Sequence, residues 1–338
     1  MTVKPFGVLA SGALAHIYTI SGGGLEAAIS DFGATLVRLM VPDKAGNMAD
    51  VVLGFDEAAP YAASGAYMGA TVGRNANRIS GAAFSMNDKT YTLTKNDNGN
   101  NCHSGPDSYA FRIWNVFEHT ESSLSLTLES PSGDQGFSGK ARIRVTYALE
   151  YPGTLSITYE GVCDEDTVFN MTNHSYFNLA GHNKGSKAMD QILSMSARVF
   201  TVANAESIPT GELRSVEGSP MDFRSPKPIG RDIDADYEPL KLQSGYDHNF
   251  EVFCNPCAIL SDPESGRTMS VVTDCPGVQL YTGNFLSETG KDGVVYGKRH
   301  GICLETQYYP DAVNHPEWAQ PFVNAGETYH SVTKYIFA

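Results

Sequence analysis

The chain has 338 residues, of which 41% are hydrophobic and 18% charged, a composition typical of a globular protein with a substantial core. Its formal net charge of −14, with no run of lysine and arginine, argues against a nucleic acid or an anionic membrane as partner, because both would be repelled. The sequence shows no leader-like start and no apolar stretch long enough to span a bilayer, which predicts a cytoplasmic location.

Six cysteines are scattered through the sequence, mostly in strand-like contexts, which favours reduced, buried thiols over a disulfide framework. Cys254 and Cys257 form the only close pair, and His248 and Cys275 do not supply a second pair of ligands at the spacing of a zinc site. The sequence therefore predicts a turn at Cys254, and no metal or cofactor follows from it.

The first half of the chain is typical of short strands separated by turns. The stretch from His16 to Val41 predicts two strands joined by a glycine turn and a third strand that ends at Pro42, and residues 51–55 predict another buried strand. Residues 83–161 continue with a hairpin and four alternating strands. Because no amphipathic helix of ordinary length interrupts them, these strands predict antiparallel sheets rather than βαβ units.

Two polar stretches lie between these strands. Residues 68–79 combine glycines with two arginines and two asparagines, and they match neither of the glycine-rich patterns that bind phosphate groups. Residues 96–105 form a polar loop that carries His103, and its glycines and amides suit a ligand-binding loop on a rigid frame. A polar surface loop without a ligand is the alternative interpretation of this segment.

The segment from Val168 to Leu179 predicts a strand with one largely apolar face and one hydrogen-bonding face. The hydrogen-bonding face carries His174 and Tyr176. Such a face suits a sugar, because hydroxyl groups need hydrogen-bond partners and aromatic rings cover the C–H faces. His174 is the one group of this segment that titrates near neutral pH, and a solvated histidine on a sheet face is the competing interpretation.

The second half of the chain predicts further strands with isolated polar residues. These strands fall within residues 192–202, 246–253, 277–286 and 328–337. Asp247 lies among aromatic residues, and Gln279 lies amid apolar neighbours. Both positions are therefore candidates for polar side chains inside a site.

The segment from Ile302 to Tyr309 predicts a strand that Pro310 ends. Glu305 lies inside this apolar and aromatic run, where burial raises the pKa of a carboxyl group toward the range useful for proton transfer. A solvated glutamate on the open face of a sheet is the alternative for this residue taken alone.

Five of these segments together resemble the aldose 1-epimerase (galactose mutarotase) family, and they follow one another in the family's order. They are Gly73–Ile79, Asn101–Gly105, Asn173–Gly181, Tyr246–His248 and Gly301–Gln307. The Glu-Thr-Gln of the last segment, with the Pro-Asp that follows it, is the most specific element. The resemblance implies a single large antiparallel β-sandwich domain over residues 1–338, with a cleft across one sheet. It also implies interconversion of the α- and β-anomers of free aldohexoses such as galactose and glucose.

The same resemblance implies roles for individual residues. It makes Glu305 the general base and His174 the general acid. It places five further side chains around the sugar: Asn77, Arg78, His103, Asp247 and Gln279. The strand pattern adds Tyr176 to this set. It implies no metal and no nucleotide, so we expect a monosaccharide as the partner, no cofactor, and a monomer or homodimer.

Two other functions fit parts of the pattern. A cupin-like metal enzyme would bind a divalent ion through histidines such as His103, His174 and His300 together with Glu305, although no short pair of histidine ligands is present. A non-catalytic sugar-binding β-sandwich would use the same polar and aromatic face, and it would need no embedded acid and base.

Overall fold

The computed structural model describes residues 2–338, and antiparallel strands make up most of its regular structure, as the sequence predicts. Its two α-helices, Ala58–Ala63 and Glu238–Gln243, contain six residues each. Short 3-10 turns connect some strands: Ser80–Ala82, Tyr109–Phe111, Asp134–Gly136, Gly185–Asp190, Ile229–Arg231, Lys291–Gly293 and Ala312–Asn314. Within residues 2–338 no helix is both long and apolar enough to cross a membrane.

The first sheet contains five strands that pair in chain order, and we call it the N-terminal sheet. Its strands are Thr2–Val8, Leu14–Gly22, Leu25–Ser30, Thr35–Pro42 and Met48–Asp50. Gly23 and Gly24 form the predicted glycine turn, and both have the positive φ that favours glycine. The strand Thr2–Val8 escapes prediction because Phe6 is its only buried side chain, which leaves no alternating pattern.

The largest sheet contains nine strands, and the last strand of the chain lies near its middle. In spatial order they are Asn115–His119, Ser123–Ser130, Ala141–Glu150, Thr154–Cys163, Thr328–Phe337, Thr268–Thr273, Ala258–Ser261, Ile192–Met195 and Lys227–Pro228. Thr328–Phe337 pairs with Thr154–Cys163 on one side and with Thr268–Thr273 on the other. The last strand therefore joins the two halves of the chain.

A third sheet of five strands lies under the cleft described below, and we call it the cleft sheet. In spatial order its strands are Pro209–Ser215, Val199–Ala203, Asp247–Glu251, Gly277–Tyr281 and Cys303–Gln307. Gln279 pairs with Asn249 on one side and with Glu305 on the other. Since side chains alternate between the two faces of a strand, these three residues lie side by side on one face of the sheet.

Five pairs of shorter strands complete the regular structure. They join Thr71–Val72 with Thr172–Asn173, Arg78–Ile79 with Asn101–Cys102, Ala83–Met86 with Lys89–Thr92, Thr167–Val168 with Phe322–Val323, and Glu288–Thr289 with Val295–Tyr296. The pair that begins at Ala83 is the predicted hairpin. Its turn residues Asn87 and Asp88 both have positive φ, a conformation that Asn and Asp tolerate.

Two of the predicted strands are wrong. Val168–Leu179 is not one strand, because only its two short pairs join ladders and the rest is irregular backbone that is buried throughout. Side chains replace part of the missing ladder; the backbone N–H of Ser175, for example, donates to Asn173 Oδ1 at 3.1 Å. Residues 51–55 are buried as predicted, yet they make only one isolated bridge.

One large hydrophobic core contains side chains from all three sheets. It includes Ile20 of the N-terminal sheet, Tyr335 of the largest sheet and Leu304 of the cleft sheet. The N-terminal sheet packs on the strands Ser123–Ser130 and Ala141–Glu150 of the largest sheet. The cleft sheet is therefore attached to a continuous core, which makes it a rigid base for a site.

A buried ion pair attaches the turn at Lys291 to the N-terminal sheet. Lys291 Nζ lies 2.5 Å from Asp50 Oδ2 and donates to the carbonyl oxygens of Val37 and Val52 at 2.8 and 2.7 Å. These three acceptors use all three protons of the ammonium group. Burial lowers the pKa of Lys291, and the Asp50 carboxylate opposes that shift.

We expect Lys291→Met to lower the free energy of unfolding by about 3–5 kcal/mol, because the buried Asp50 carboxylate loses its closest cation and keeps the half-exposed Arg38 at 3.6 Å. Denaturation in urea measures this loss. Lys334→Met is the matched control, since Lys334 pairs with Glu150 at 2.8 Å in a half-exposed position, where an ion pair is worth about 0–1 kcal/mol. Equal losses in the two variants would contradict the prediction.

Candidate active site

A cleft of about 580 Å³ lies over the cleft sheet, within the range of about 300–1,000 Å³ that is usual for small-molecule sites. Seven of the eight side chains predicted as site residues line it: Asn77, Arg78, His103, His174, Tyr176, Asp247 and Glu305. The eighth, Gln279, is not part of the lining. The seven come from five separate segments of the sequence, which folding brings together.

Glu305 lies at the centre of the strand Cys303–Gln307 and is 2% exposed. Its Oε1 faces His174, whereas its Oε2 is buried and has no hydrogen-bond partner among residues 2–338. Burial raises the pKa of Glu305 well above its ordinary value, and Asp247 raises it further, against the opposing effect of Arg78. This carboxyl group therefore holds a proton more tightly than a glutamate in water.

His174 lies in the irregular buried segment, and two neighbours contact its ring nitrogens. Its Nε2 lies 3.7 Å from Glu305 Oε1, and its Nδ1 lies 3.6 Å from Cys303 Sγ. Burial lowers the pKa of His174 to about 4, because the imidazolium loses its hydration there. Burial thus favours the uncharged form of both groups, a protonated carboxyl and a neutral imidazole.

Asn77, Arg78 and His103 form a second wall of the cleft. The backbone N–H of Asn77 donates to His103 Nδ1 at 3.1 Å, and the backbone N–H of His103 donates to the Asn77 carbonyl oxygen at 3.0 Å. Arg78 Nε donates to Asp97 Oδ2 at 2.7 Å, which fixes the guanidinium. Asn77, His103 and Ser104 have φ values of 61°, 51° and 67°, a conformation that costs free energy in residues other than glycine and clusters at functional sites.

Asp247 enters the cleft from the middle strand of the cleft sheet. Its Oδ1 accepts a 2.6 Å hydrogen bond from Gln279 Nε2. Burial raises the pKa of Asp247, while Arg78 and the bond from Gln279 lower it in part. Gln279 therefore affects the site through Asp247 rather than by facing the cleft.

Aromatic rings surround the imidazole of His174. The Tyr176 ring lies 5.1 Å from it between centroids, and the Tyr176 hydroxyl donates to the Ala66 carbonyl oxygen at 2.9 Å. The rings of Tyr67 and Tyr281 lie 6.1 and 6.3 Å away. These rings exclude water from the imidazole, which agrees with its lowered pKa.

One cluster in the cleft could hold a metal ion. Its possible ligand atoms lie within 4.8 Å of one another and belong to three buried residues: His103, His174 and Glu305. His300, which the cupin-like alternative includes, is not part of it, since His300 Nε2 lies 3.0 Å from the Gly185 backbone nitrogen outside the cleft. Cys254 and Cys257 join no such cluster in the described part of the chain. All six cysteines are free thiols, of which four are buried as predicted, whereas Cys102 is partly buried and Cys254 is exposed.

Known proteins share this arrangement of chain and fold. The family model for aldose 1-epimerase matches residues 16–336. The chain belongs to the aldose 1-epimerase family. The galactose mutarotase of Sus scrofa is 36% identical over 345 residues, which cover 100% of this chain and 98% of the relative. The aldose 1-epimerase of Haemophilus influenzae is 36% identical over 93% of each chain.

Two solved structures of aldose epimerases are similar to this family member. The aldose epimerase homologue from C. elegans has a TM-score of 0.88 and 31% identity, and the match covers 96% of this chain and 99% of that one. The galactose 1-epimerase from Lactobacillus acidophilus has a TM-score of 0.86 and 25% identity, with 100% and 98% covered. The predicted galactose mutarotase-like β-sandwich is therefore confirmed.

Sequence reasoning missed part of the lining of this aldose 1-epimerase cleft. The missed side chains include Tyr67, Asn96, Asp97, Cys102, Tyr281, Phe285, Leu286 and Glu288. Asp97 could have been found, because it is the one carboxylate in the polar loop that carries His103. Tyr67 gives no local signal, since it lies in a short connection and reaches the cleft through a positive φ of 54°.

We predict that His174 is neutral in the free protein at neutral pH, and that Glu305 keeps its proton to a higher pH than a glutamate in water. His174 stays neutral above its lowered pKa of about 4, and Glu305 stays protonated until the pH rises through its raised pKa. NMR of isotope-labelled histidine, with the His174 resonance assigned through His174→Asn, measures the protonation of His174. The infrared carboxyl band that disappears in Glu305→Gln measures the protonation of Glu305.

An imidazole of His174 that titrates near its ordinary value of 6.5, or a Glu305 carboxyl group that ionises near its ordinary value of 4.5, would contradict this prediction. His330→Asn is the control for the NMR assignment, because His330 is about half exposed and lies outside the cleft. It should leave the His174 resonance unchanged.

Proposed function

We propose that this aldose 1-epimerase interconverts the α- and β-anomers of free aldohexoses, with galactose and glucose as the expected substrates. The observation that carries the proposal is the contact between two buried proton carriers, Glu305 and His174, at 3.7 Å in a cleft that can hold a hexose. A non-catalytic sugar-binding module would gain nothing from burying a carboxyl and an imidazole together, because their desolvation costs free energy.

The proposed chemistry moves two protons. Glu305, as a carboxylate, accepts the proton of the anomeric O1 hydroxyl, and His174, as an imidazolium, protonates the ring oxygen. The bond between C1 and the ring oxygen then breaks and the open-chain aldehyde forms. Rotation about the C1–C2 bond, followed by reclosure with the two roles exchanged, gives the other anomer. Each positioned proton carrier contributes about 10²–10⁴-fold to the rate.

The resting and the reactive forms of the pair hold the same number of protons. In the empty cleft burial favours a protonated Glu305 and a neutral His174, whereas the reaction uses the ionic form. A bound sugar stabilises that ionic form, because its O1 hydroxyl donates to the carboxylate and its ring oxygen accepts from the imidazolium. The substrate therefore helps to form the acid and the base that act on it.

The other polar side chains of the cleft are proposed to hold the sugar. Arg78 supplies charge-assisted hydrogen bonds to hydroxyl groups, each worth about 1.5–3 kcal/mol, and Asp247 accepts from them. His103 and Asn77 complete the polar wall through Nε2 and the side-chain amide. The Tyr176 ring faces the C–H groups, since its hydroxyl is already bonded to backbone.

The proposal includes no cofactor, because each step is a proton transfer. We also propose that residues 1–338 form a single domain, which the extent of the main core from Ile20 to Phe337 supports. The proposal also includes a cytoplasmic location and a monomeric or homodimeric state. The net charge of −14 favours a neutral sugar over a nucleic acid or an anionic membrane as partner.

Polarimetry tests the central proposal. Catalytic amounts of the protein should accelerate the approach of freshly dissolved α-galactose and α-glucose to equilibrium rotation. Methyl glycosides should be inert, because their blocked O1 has no proton for Glu305 to accept. A lack of acceleration for every common aldose would contradict the proposed function.

The pH dependence of kcat/KM should be bell-shaped, because only the form of the pair with one proton reacts. The acidic limb follows the uptake of a second proton, governed by the His174 pKa of about 4, and the basic limb follows loss of the last proton at the raised pKa of Glu305. Glu305→Gln should lower kcat by about 10²–10⁴-fold. Any residual activity would depend on the His174 imidazolium alone, so it should lack an acidic limb and fall as the pH rises through the His174 pKa.

Calorimetry of galactose binding to Glu305→Gln is the control for this experiment, since the amide keeps the size and hydrogen bonding of the side chain. Binding should persist while kcat collapses. His174→Asn should lower kcat as well, with water replacing part of the acid. A kcat near the wild-type value in Glu305→Gln would make Glu305 a structural carboxyl group and leave Asp247 as the group that accepts the O1 proton.

A further inference from the structure

The cluster formed by His103, His174 and Glu305 can coordinate a metal ion, which the proposed reaction does not use. Two imidazoles and a carboxylate are a ligand set that zinc and related transition-metal ions bind well. The possible ligand atoms lie within 4.8 Å of one another, and all three side chains are buried. We propose that the cleft binds one divalent transition-metal ion, with Zn²⁺ as the reference ion, and that this ion competes with the sugar.

One pair of ligand atoms in the cluster lies near the separation found in a zinc site. The backbone N–H of Asn77 occupies His103 Nδ1, which leaves Nε2 as the free ring nitrogen of His103. His174 Nε2 lies 3.7 Å from Glu305 Oε1. Two ligand atoms of a tetrahedral zinc ion, each about 2.0–2.1 Å from the metal, lie about 3.4 Å apart. This pair therefore needs to move by only a few tenths of an ångström.

One carboxyl oxygen of Glu305 is available as a metal ligand. Its Oε2 is buried without a hydrogen-bond partner within the described chain. An unpartnered carboxyl oxygen in a low-dielectric site costs free energy, and a cation removes that cost. The three protein ligands leave a fourth position open to water, as in other open zinc sites.

The charges of the cleft favour a cation. Among the described residues that line it, Arg78 is the one lysine or arginine, and Asp97 already pairs with it at 2.7 Å. Three further carboxyl groups line the same space, those of Asp247, Glu288 and Glu305. Partly buried charges are screened less by salt than exposed ones, so the ionised members of this set attract a divalent ion, and binding of the ion at Glu305 releases the proton held there.

A bound ion prevents the reaction. It holds the Glu305 carboxylate and a ring nitrogen of His174 as ligands, so neither group can transfer a proton. It also occupies the space in which O1 and the ring oxygen would lie. The inhibition rests on the proposed function, whereas the binding of the ion does not.

The experiment measures Zn²⁺ binding to metal-free protein by competition with a zinc-responsive dye, with and without excess galactose. Cys254→Ser serves as the background, because Cys254 is an exposed thiol that could bind the ion outside the cleft. We expect one equivalent of Zn²⁺ per chain, displaced by galactose. In polarimetric assays Zn²⁺ should raise the apparent KM for galactose and leave kcat unchanged.

Substitution of the proposed ligand residues tests where the ion binds. His103→Asn and, independently, His174→Asn each remove one of the three ligands, and each should weaken Zn²⁺ binding by about tenfold or more. His315→Asn is the matched control, since this histidine also lies beside two carboxylates, at 3.1 Å from Glu317 and 3.8 Å from Asp311, but outside the cleft. It should leave Zn²⁺ binding and mutarotation unchanged. Thermal unfolding checks that each variant is folded.

Three outcomes would overturn the inference: unchanged Zn²⁺ binding in both ligand variants, loss of binding in His315→Asn, or failure of galactose to displace the ion from a protein that catalyses galactose mutarotation. The two proposals fail separately. Zn²⁺ bound in the cleft of a protein that accelerates no mutarotation contradicts the proposed function alone. Mutarotation that Zn²⁺ leaves unchanged contradicts this inference alone.

Discussion

The joint burial of Glu305 and His174 is the constraint on which the site depends. At 3.7 Å and with both side chains removed from water, the two groups have pKa values shifted in opposite directions by the same cause. The ionic form of the pair is therefore sensitive to any hydrogen bond that a ligand brings. The rings of Tyr67, Tyr176 and Tyr281 pack around the imidazole of His174. They exclude water from it and so favour the uncharged form of the pair.

Glu305 and His174 are positioned by different backbone structures, a regular strand and an irregular segment. Glu305 lies on a regular strand, where pairing with Gln279 sets its position and the direction of its side chain. His174 lies on irregular backbone, which can present a side chain toward a strand edge without joining the ladder. A bridge between Phe177 and Ile302 connects this backbone to the residue before the strand of Glu305. The separation of the two groups is thus fixed by backbone on both sides.

Alternation in the sequence predicts strands where one face is partly accessible, as in Ala141–Glu150, and it misleads in one segment that is buried throughout. Val168–Leu179 alternates in polarity but is buried throughout, and its backbone bonds to side chains that local sequence cannot assign. Most of the site was predictable because its residues lie in motifs of a known family. Tyr67 was not, and neither was the position of Gln279 behind Asp247, because both depend on contacts between distant segments.

The layer of polar side chains around Glu305 on the cleft sheet shows what this arrangement costs. Besides Glu305 Oε2, side-chain atoms of Asn249, Gln279 and Gln307 are buried without hydrogen-bond partners in the described chain, on the face of the sheet that carries Glu305. Each such group costs about 1–3 kcal/mol. Gly277 makes room for this layer, since a Cβ there would lie 2.4 Å from Asn249 Oδ1. An apolar layer beside Glu305 would be more stable, but it would lack the Gln279 amide that donates to Asp247, so the cost falls on the face of the sheet that carries the proposed base.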